Sequence, residues 1–506
     1  MTASTLEPTI GLEVHMHLAT RTKMFCGCEV RYDARPNSLV CPVCLGMPGV
    51  LPVMNGKAVE LAVRMALALN CAIPDLAKWD RKHYYYPDLP KNYQISEYDQ
   101  PLGVKGYLDI ETSQGPRRIG IIRVHLEEDA GKLMHAEGGG HYSVVDLNRT
   151  GTPLLEIVSE PDVHSAEEAR VYGESLRQLA VYLGVSGCNM QLGQMRFEPN
   201  ISLRIGSGPD GAPRYTPISE IKNLNSFRSV ERAVAYEIER HRQEYAADPA
   251  GYTLEKQGKS TRGWRDAEGV TFLQRSKEEA HDYRYFPEPD LVPFVPDRAW
   301  VDEMRTTVPE LPEKRRRRFI EEYRLPEYDA GVLTADRDVA DYFEIVATML
   351  KEPKVASNWV MQDVLRILKE TKWRFAEFTL FIPPDEFAGL VKYVLQGRLS
   401  RVVAKQVLDN ALEFAREVTL SDDLARSVRK PIQEFIAELG LKDTSGTEDI
   451  ESLVAHAISQ NSQAVSDYKA GKKAAMGRLI GEVMKASQGR ADAKAVREIL
   501  LRGLGN

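Results

Sequence analysis

Arg123-Val124-His125-Leu126-Glu127-Glu128-Asp129-Ala130-Gly131-Lys132 closes an apolar run with three consecutive acids and a glycine turn. The run reads as a strand from Ile119 onward, and Ile201 to Ile205 has the same character. Carboxylates at a strand end are hard oxygen ligands, suited to Mg²⁺ with bound phosphates. Upstream, Gly11-Leu12-Glu13-Val14-His15-Met16-His17 alternates so that a strand would place Glu13, His15 and His17 on one face. Between the two, Arg81-Lys82-His83-Tyr84-Tyr85-Tyr86-Pro87-Asp88-Leu89-Pro90-Lys91 supplies Lys82 and Lys91 for phosphate charge, and Tyr84 and Tyr86 as aromatic faces for a base. Each cluster alone reads as a polar rim; together they hold what phosphoryl transfer needs.

Working outward, residues 1–297 are dense in Gly, Pro, Tyr and Asn with short β-like runs, and read as one large α+β unit. Ser165-Ala166-Glu167-Glu168 has the form of a capping box and precedes Tyr172, Leu176, Leu179 and Leu183 at helical spacing. Another helix is expected to start near Phe227. Beyond Pro296 the chain becomes charged and rich in Leu and Ala, which predicts two all-α domains, at 298–398 and 399–506. Tyr468 to Asn506 carries nine Lys or Arg against three Asp or Glu, a surface that could follow a phosphate backbone or simply be a solvated helix face. Arg315 to Arg318 reads as solvated or as a subunit contact.

Cys26-Gly27-Cys28 and Cys41-Pro42-Val43-Cys44 place four of the six cysteines within nineteen residues. Two thiolate pairs joined by a short loop can close a tetrahedron around Zn²⁺ with no position left for substrate, so this zinc would be structural. The N-terminus lacks a signal-like start, and the most apolar stretch, Leu61 to Ile73, is interrupted by Arg64 and Asn70. A cytoplasmic protein with no membrane span is the expectation. A net charge of −7 argues against a general nucleic-acid coat protein.

Two phosphate-loop look-alikes fail. Gly258-Lys259-Ser260 has Thr253 where the loop needs its first glycine, and Gly131-Lys132-Leu133 lacks the hydroxyl residue. No Gly-x-Ser-x-Gly nucleophile elbow and no Gly-Gly-Ser-Ser-rich amidase stretch occurs. ATP would therefore be held by acids, lysines and a metal ion, and amide hydrolysis is not expected of this chain.

At these residues the sequence closely resembles the B subunit of bacterial and organellar aspartyl/glutamyl-tRNA amidotransferase. The match runs through Gly11 to His15, the cysteines leading into Leu45-Gly46-Met47-Pro48-Gly49, Tyr85 to Ser96, and His125 to Lys132. It continues in Asn148-Arg149-Thr150-Gly151-Thr152-Pro153-Leu154-Leu155-Glu156-Ile157-Val158, Glu220 to Ser226, Arg275 to Asp290, Gly471-Lys472 and Gly481 to Ala486, so it covers essentially the whole chain. The resemblance implies a cradle related to the glutamine synthetase-like kinase fold with a zinc-binding insertion, then a helical domain and a tail that grips the tRNA elbow. It implies Mg·ATP-dependent phosphorylation of Glu on tRNA-Gln or Asp on tRNA-Asn, followed by amidation with ammonia. A partner amidase A subunit would supply that ammonia through a tunnel, and a small C subunit would strap the heterotrimer. By carry-over, Glu13, His15, Glu128 and Glu156 become magnesium candidates, Glu127 a weaker one, Lys82 and Lys91 phosphate partners, and Tyr84 and Tyr86 pocket walls. One departure stands out: Arg196-Phe197-Glu198-Pro199-Asn200 replaces a Cys-Asp-Ala-Asn stretch common in relatives, so Glu198 reaches one methylene further while Asn200 is kept. Rival readings are the archaeal-type E subunit, whose inserted synthetase-like domain has no room here, and a non-catalytic tRNA-binding zinc protein.

Overall fold

The computed structural model describes residues 6–135, 142–276, 283–419, 430–438, 447–470, 472–487 and 493–504. Lys277 to Asp282 and Gly471, both within the matching stretches, lie outside the described residues. In chain order the strands begin with β1 (Glu7–His17), β2 (Asp80–His83), β3 (Tyr93–Ser96), β4 (Gly103–Thr112), β5 (Gly115–Glu128), β6 (Lys132–His135) and β7 (Ser143–Asp146). They continue with β8 (Pro153–Ser159), β9 (Met195–Ser207), β10 (Pro213–Tyr215), β11 (Ile218–Lys222), β12 (Lys259–Arg265), β13 (Val270–Ser276) and β14 (Phe286–Pro287). Among the described residues, one large mixed sheet runs β13-β12-β11-β9-β1-β8-β5-β3-β2-β14, with β10 beside β9 and β4 beside β5. Its neighbours are antiparallel except β11 and β12.

Alternation on the central strand decides which side is core. Ile10, Leu12, Val14 and Met16 are at most 1% exposed, whereas Glu13 and His15 on the opposite face are only partly buried. Helices α1 (Gly56–Ala68), α2 (Ala166–Tyr182) and α3 (Phe227–Ala247) share the core with those apolar residues. Gly173 on α2 shows which side they take. A Cβ there would sit 2.9 Å from the Phe197 ring, and Phe197 points away from Glu198 and Arg196 because side chains alternate along β9. Ser165 caps α2 as expected, accepting from the Glu168 N–H at 3.1 Å. Glu168 closes the box one residue early, taking the His164 N–H instead.

The first compact unit runs to Leu311, and Val301 and Met304 of helix Arg298–Thr307 are buried in its core. The second unit holds two separate apolar cores. One gathers Phe319 to Ile436, with Leu399, Ala404, Val407, Leu408 and Ala411 among its buried residues. The other runs from Val454 to Leu504. Arg315, only 6% exposed, pairs with Asp341 at 2.6 Å and also with Glu344, which Arg318 reaches at 2.6 Å. Half of that arginine run is an inter-helix staple, contrary to the solvated reading. No helix among the described residues is long and apolar enough to cross a membrane.

Candidate functional site

Register places the polar face. His15 lies opposite Glu156 on one side and Arg196 on the other, and Glu156 lies opposite His125. Directly paired residues share a face, so strands distant in sequence deliver one row of charged side chains. His15 Nε2 is 3.4 Å from Glu156 and 3.9 Å from Glu127, and His125 Nε2 is 3.1 Å from Glu156. Donor atoms of His15, Glu127 and Glu156 lie within 4.8 Å of one another. The Nδ1 atoms of His15 and His125 are buried without a hydrogen-bond partner.

Electrostatics shift His15 and Glu156 in opposite directions. Burial opposes protonation of His15, yet Glu156 first, then Glu198 and Glu127, raise it to about 9. Burial would likewise push Glu156 up, but His125 and His15 outweigh it and hold the carboxyl well below its usual range. Two carboxylates and an imidazole, with orphaned ring nitrogens behind them, suit a divalent cation.

Around this cluster the other candidate residues divide. Glu13 sits opposite Glu198 and accepts from Asn200 Nδ2 at 3.0 Å. Glu198 pairs with Lys222 at 2.7 Å, and Lys222 also meets Glu220 at 3.1 Å. The β9–β11 ladder holds only Ser219–Ile201 and Glu220–Asn200, and stops beside Pro199, which has no N–H to donate. Phe197 turns into the core, its ring centroid 5.5 Å from that of Phe227. Lys82 lies 5.0 Å from the Tyr283 ring and 5.9 Å from Tyr84, and Tyr84 meets Tyr86 edge-on at 6.1 Å. Tyr285 stacks on Tyr98 at 4.0 Å. Burial opposes the charge on Lys82, but Tyr285, Glu127, Tyr84 and Glu156 together hold it above the ordinary lysine range.

Glu128 is not brought to the imidazole cluster. It alternates to the opposite direction from Glu127, ion-pairs with Lys91 and accepts from the Ile95 N–H at 3.0 Å. Gly46 makes room for that lysine: it has a left-handed backbone, and a Cβ would sit 2.4 Å from Lys91 Cγ.

Asp129, the third acid, anchors a set that the sequence reading did not assign. His17 Nε2 reaches its Oδ2 at 2.7 Å, Arg196 at 2.8 Å and Arg149 at 3.4 Å, while Tyr32 hydrogen-bonds His17 Nδ1 at 2.9 Å. Burial alone would raise the Asp129 carboxyl, but Arg196, Arg149 and His17 keep it well below its ordinary range. Burial, helped by both arginines, lowers His17. His17 and Arg196 are each conspicuous in the sequence, but only strand register brings them to Asp129.

The cysteine centre is separate. Cys26, Cys28, Cys41 and Cys44 have sulfurs within 4.8 Å of one another, and all six cysteines are free of disulfides. A tetrahedral Zn²⁺ with Zn–S near 2.3 Å places sulfurs roughly 3.8 Å apart, so the set fits the ion. Donation from the Cys26 thiol is the main reason that Cys44 falls to about 4; burial opposes it, and the Cys41 N–H and Lys23 assist. Lys23 is 1% exposed and its ammonium lies 3.6 Å from Cys44 Sγ.

The chain is thus a sheet-bearing unit with a charged cluster and a cysteine centre, followed by helices, and family comparison gives its class. Residues 8–302 match the GatB/GatE catalytic domain and residues 341–504 match the GatB domain. The chain is 47% identical to the B subunit of an aspartyl/glutamyl-tRNA(Asn/Gln) amidotransferase from Moorella thermoacetica, over 98% of both chains. It is 45% identical to the protein of that description from Carboxydothermus hydrogenoformans and 45% to that from Geotalea uraniireducens, each over 98% of both chains. The chain belongs to the family of aspartyl/glutamyl-tRNA(Asn/Gln) amidotransferase B subunits.

Proposed function

We propose that this chain is the kinase and transfer subunit of a tRNA-dependent amidotransferase, a carbon–nitrogen ligase that uses glutamine as amido donor. In this reading it phosphorylates the side-chain carboxylate of Glu misacylated on tRNA-Gln, or of Asp on tRNA-Asn, and ammonia then replaces the phosphate. The observation that carries the reading is the meeting of His15, Glu127 and Glu156 within 4.8 Å. That cluster shares its sheet with Lys82, whose ammonium lies beside the Tyr84 and Tyr283 rings.

A carboxylate oxygen is a poor leaving group, and phosphorylation makes it one that neutral ammonia can expel. The carboxylate oxygen bonds to the γ-phosphorus of ATP while the bridging oxygen leaves with ADP. Nitrogen then bonds to the acyl carbon, and phosphate leaves with its oxygen. A Mg²⁺ ion held by His15, Glu127 and Glu156 would neutralise phosphate oxygens during the first step. Lys82 offsets charge on the same group, and Tyr84, Tyr86 and Tyr283 wall the site against water, which would hydrolyse the intermediate. Glu13, Glu198 and Asn200 form a second polar set one strand pair away, and the Lys91–Glu128 pair holds the turn beside β3.

The reading includes a cradle of glutamine synthetase-like kinase type, a structural zinc on the four cysteines, ammonia from a partner amidase A subunit, and a small C subunit. The description of the relatives as one subunit of an amidotransferase supports partner subunits as such, and their being an amidase A and a small C subunit is part of the proposal. The GatB/GatE domain alone fits both the B and the E type, and the match of residues 341–504 to the GatB domain favours B. Transamidation by the co-expressed complex tests the reading, with each misacylated tRNA, ATP, Mg²⁺ and either glutamine or ammonium. ATP-dependent amide from ammonium, lost in Glu156→Gln with tRNA binding retained, is expected. No product from any donor while tRNA stays bound would demote the chain to an RNA-binding scaffold.

A further inference from the structure

We propose that Arg196 is a catalytic residue that binds the phosphoryl oxygens in transfer, with Asp129 and Arg149 positioning it; this rests on the phosphoryl-transfer reading above. Arg196 stands directly across from His15 in the β1–β9 ladder, so it flanks the metal-binding cluster on the side away from Glu156. One terminal nitrogen donates to Asp129 Oδ2 at 2.8 Å, and its Nε is buried without any partner. A guanidinium offers five donors in a rigid plane. Here Asp129 holds one edge and leaves the other uncommitted.

The carboxylate that holds Arg196 is itself shared. Asp129 Oδ2 also takes His17 at 2.7 Å and Arg149 at 3.4 Å, while Oδ1 takes the Ala130 N–H at 2.9 Å. Arg149 is further fixed by donating to the carbonyls of Ala130, at 2.9 Å, and Gly131. Two guanidinium charges therefore face one carboxylate. Arg196 carries its charge next to His15, with Glu198 and Glu127 also acting on it, where a phosphoryl group would pass. Planar, bidentate donation to phosphoryl oxygens is what arginine supplies and lysine does not. As the phosphorus moves from the ADP oxygen to the carboxylate oxygen, charge spreads over its three other oxygens, and a preorganised donor pair there lowers the barrier.

The test uses the co-expressed complex with misacylated tRNA, ATP and ammonium. Arg196→Lys keeps a cation beside Asp129 but removes the fork. Its kcat is expected to fall about 100-fold or more, with KM for the aminoacyl-tRNA and thermal midpoint little changed. Arg196→Ala should be slower still and partly rescued by added guanidinium. Arg196→Lys at the wild-type rate would overturn the proposal, as would slow variants that melt early and are not rescued. Wild-type complex that makes no ATP-dependent amide would instead sink the phosphoryl-transfer reading, so the two failures are distinct.

Discussion

Glu97 shows how one buried side chain ties stability to pH. It is 3% exposed, and its Oε2 accepts from the N–H groups of Leu102 at 2.9 Å and Leu126 at 3.2 Å. Burial pushes its carboxyl up to about 8, the two N–H donors opposing and Asp80 adding to the rise. The folded chain then keeps a proton that the unfolded chain releases near its ordinary value of 4.5. This contribution to stability is complete below the unfolded value and is lost as pH climbs through about 8. Glu97→Gln keeps an acceptor for both N–H groups without ionising. Its unfolding free energy should fall less than that of wild type between those pH values and exceed it at the upper end, by on the order of a few kcal/mol. Parallel curves for the two proteins would refute the assignment. Lys91 and Glu128 make a second residue-scale case, with side chains only 8% and 3% exposed. Glu128→Leu leaves a buried ammonium unpaired and should cost about 3 kcal/mol in denaturant unfolding, most of it recovered when Lys91→Met is added. Additive losses in the double variant would show that the two are not coupled.

At the scale of elements, the sequence was most legible where a pattern is local. Alternation on β1 put Glu13, His15 and His17 opposite a buried Leu12, Val14 and Met16, and Ser165 marked the start of α2. The cysteine spacing was equally local, since Thr22 bridges Glu29 to bring Cys26 near Cys28, and the Leu45 N–H bonds Cys41 to turn the second pair. Register between distant strands was not legible. Only the pairing of β1 with β8 and β9 joins His15 to Glu156 and Arg196, and only strand alternation separates Glu127 from Glu128. The partition of the helices among cores was not legible for a related reason: helix Arg401–Thr419 has a strong apolar face, but sequence cannot say which core that face joins. The cysteine element gives its own prediction. Binding energy of a structural zinc is folding energy. Chelation should therefore lower the thermal midpoint and open Cys26, Cys28, Cys41 and Cys44 to alkylation, while Cys71 and Cys188, 3% and 1% exposed, stay unlabelled. Equal labelling of all six in the native state, or purified protein lacking zinc, would contradict it.

For the whole molecule, the question is how a chain of net charge −7 would hold RNA. The last core answers part of it. Met476, Leu479, Val483, Val496 and Leu500 point inward, while Lys469, Lys472, Lys473, Arg478, Lys485, Arg497 and Arg502 are exposed. Lys472 meets Asp467 at 3.1 Å, so that charge is in part answered locally. Deleting the segment from Tyr468 would remove seven of the ten buried residues of this core, and lost binding could then mean a lost fold. Substituting surface charge alone avoids that confusion. With Lys473, Arg478 and Lys485 changed together to Gln, the core residues are untouched and circular dichroism should not change. If these cations contact phosphates, tRNA affinity should drop and the slope of log K against log salt should shrink by about 0.7 to 0.9 for each contact removed. A weaker affinity with an unchanged slope would place the loss elsewhere. An unchanged affinity would make this a solvated face, with the RNA held by another part of the chain or by a partner subunit.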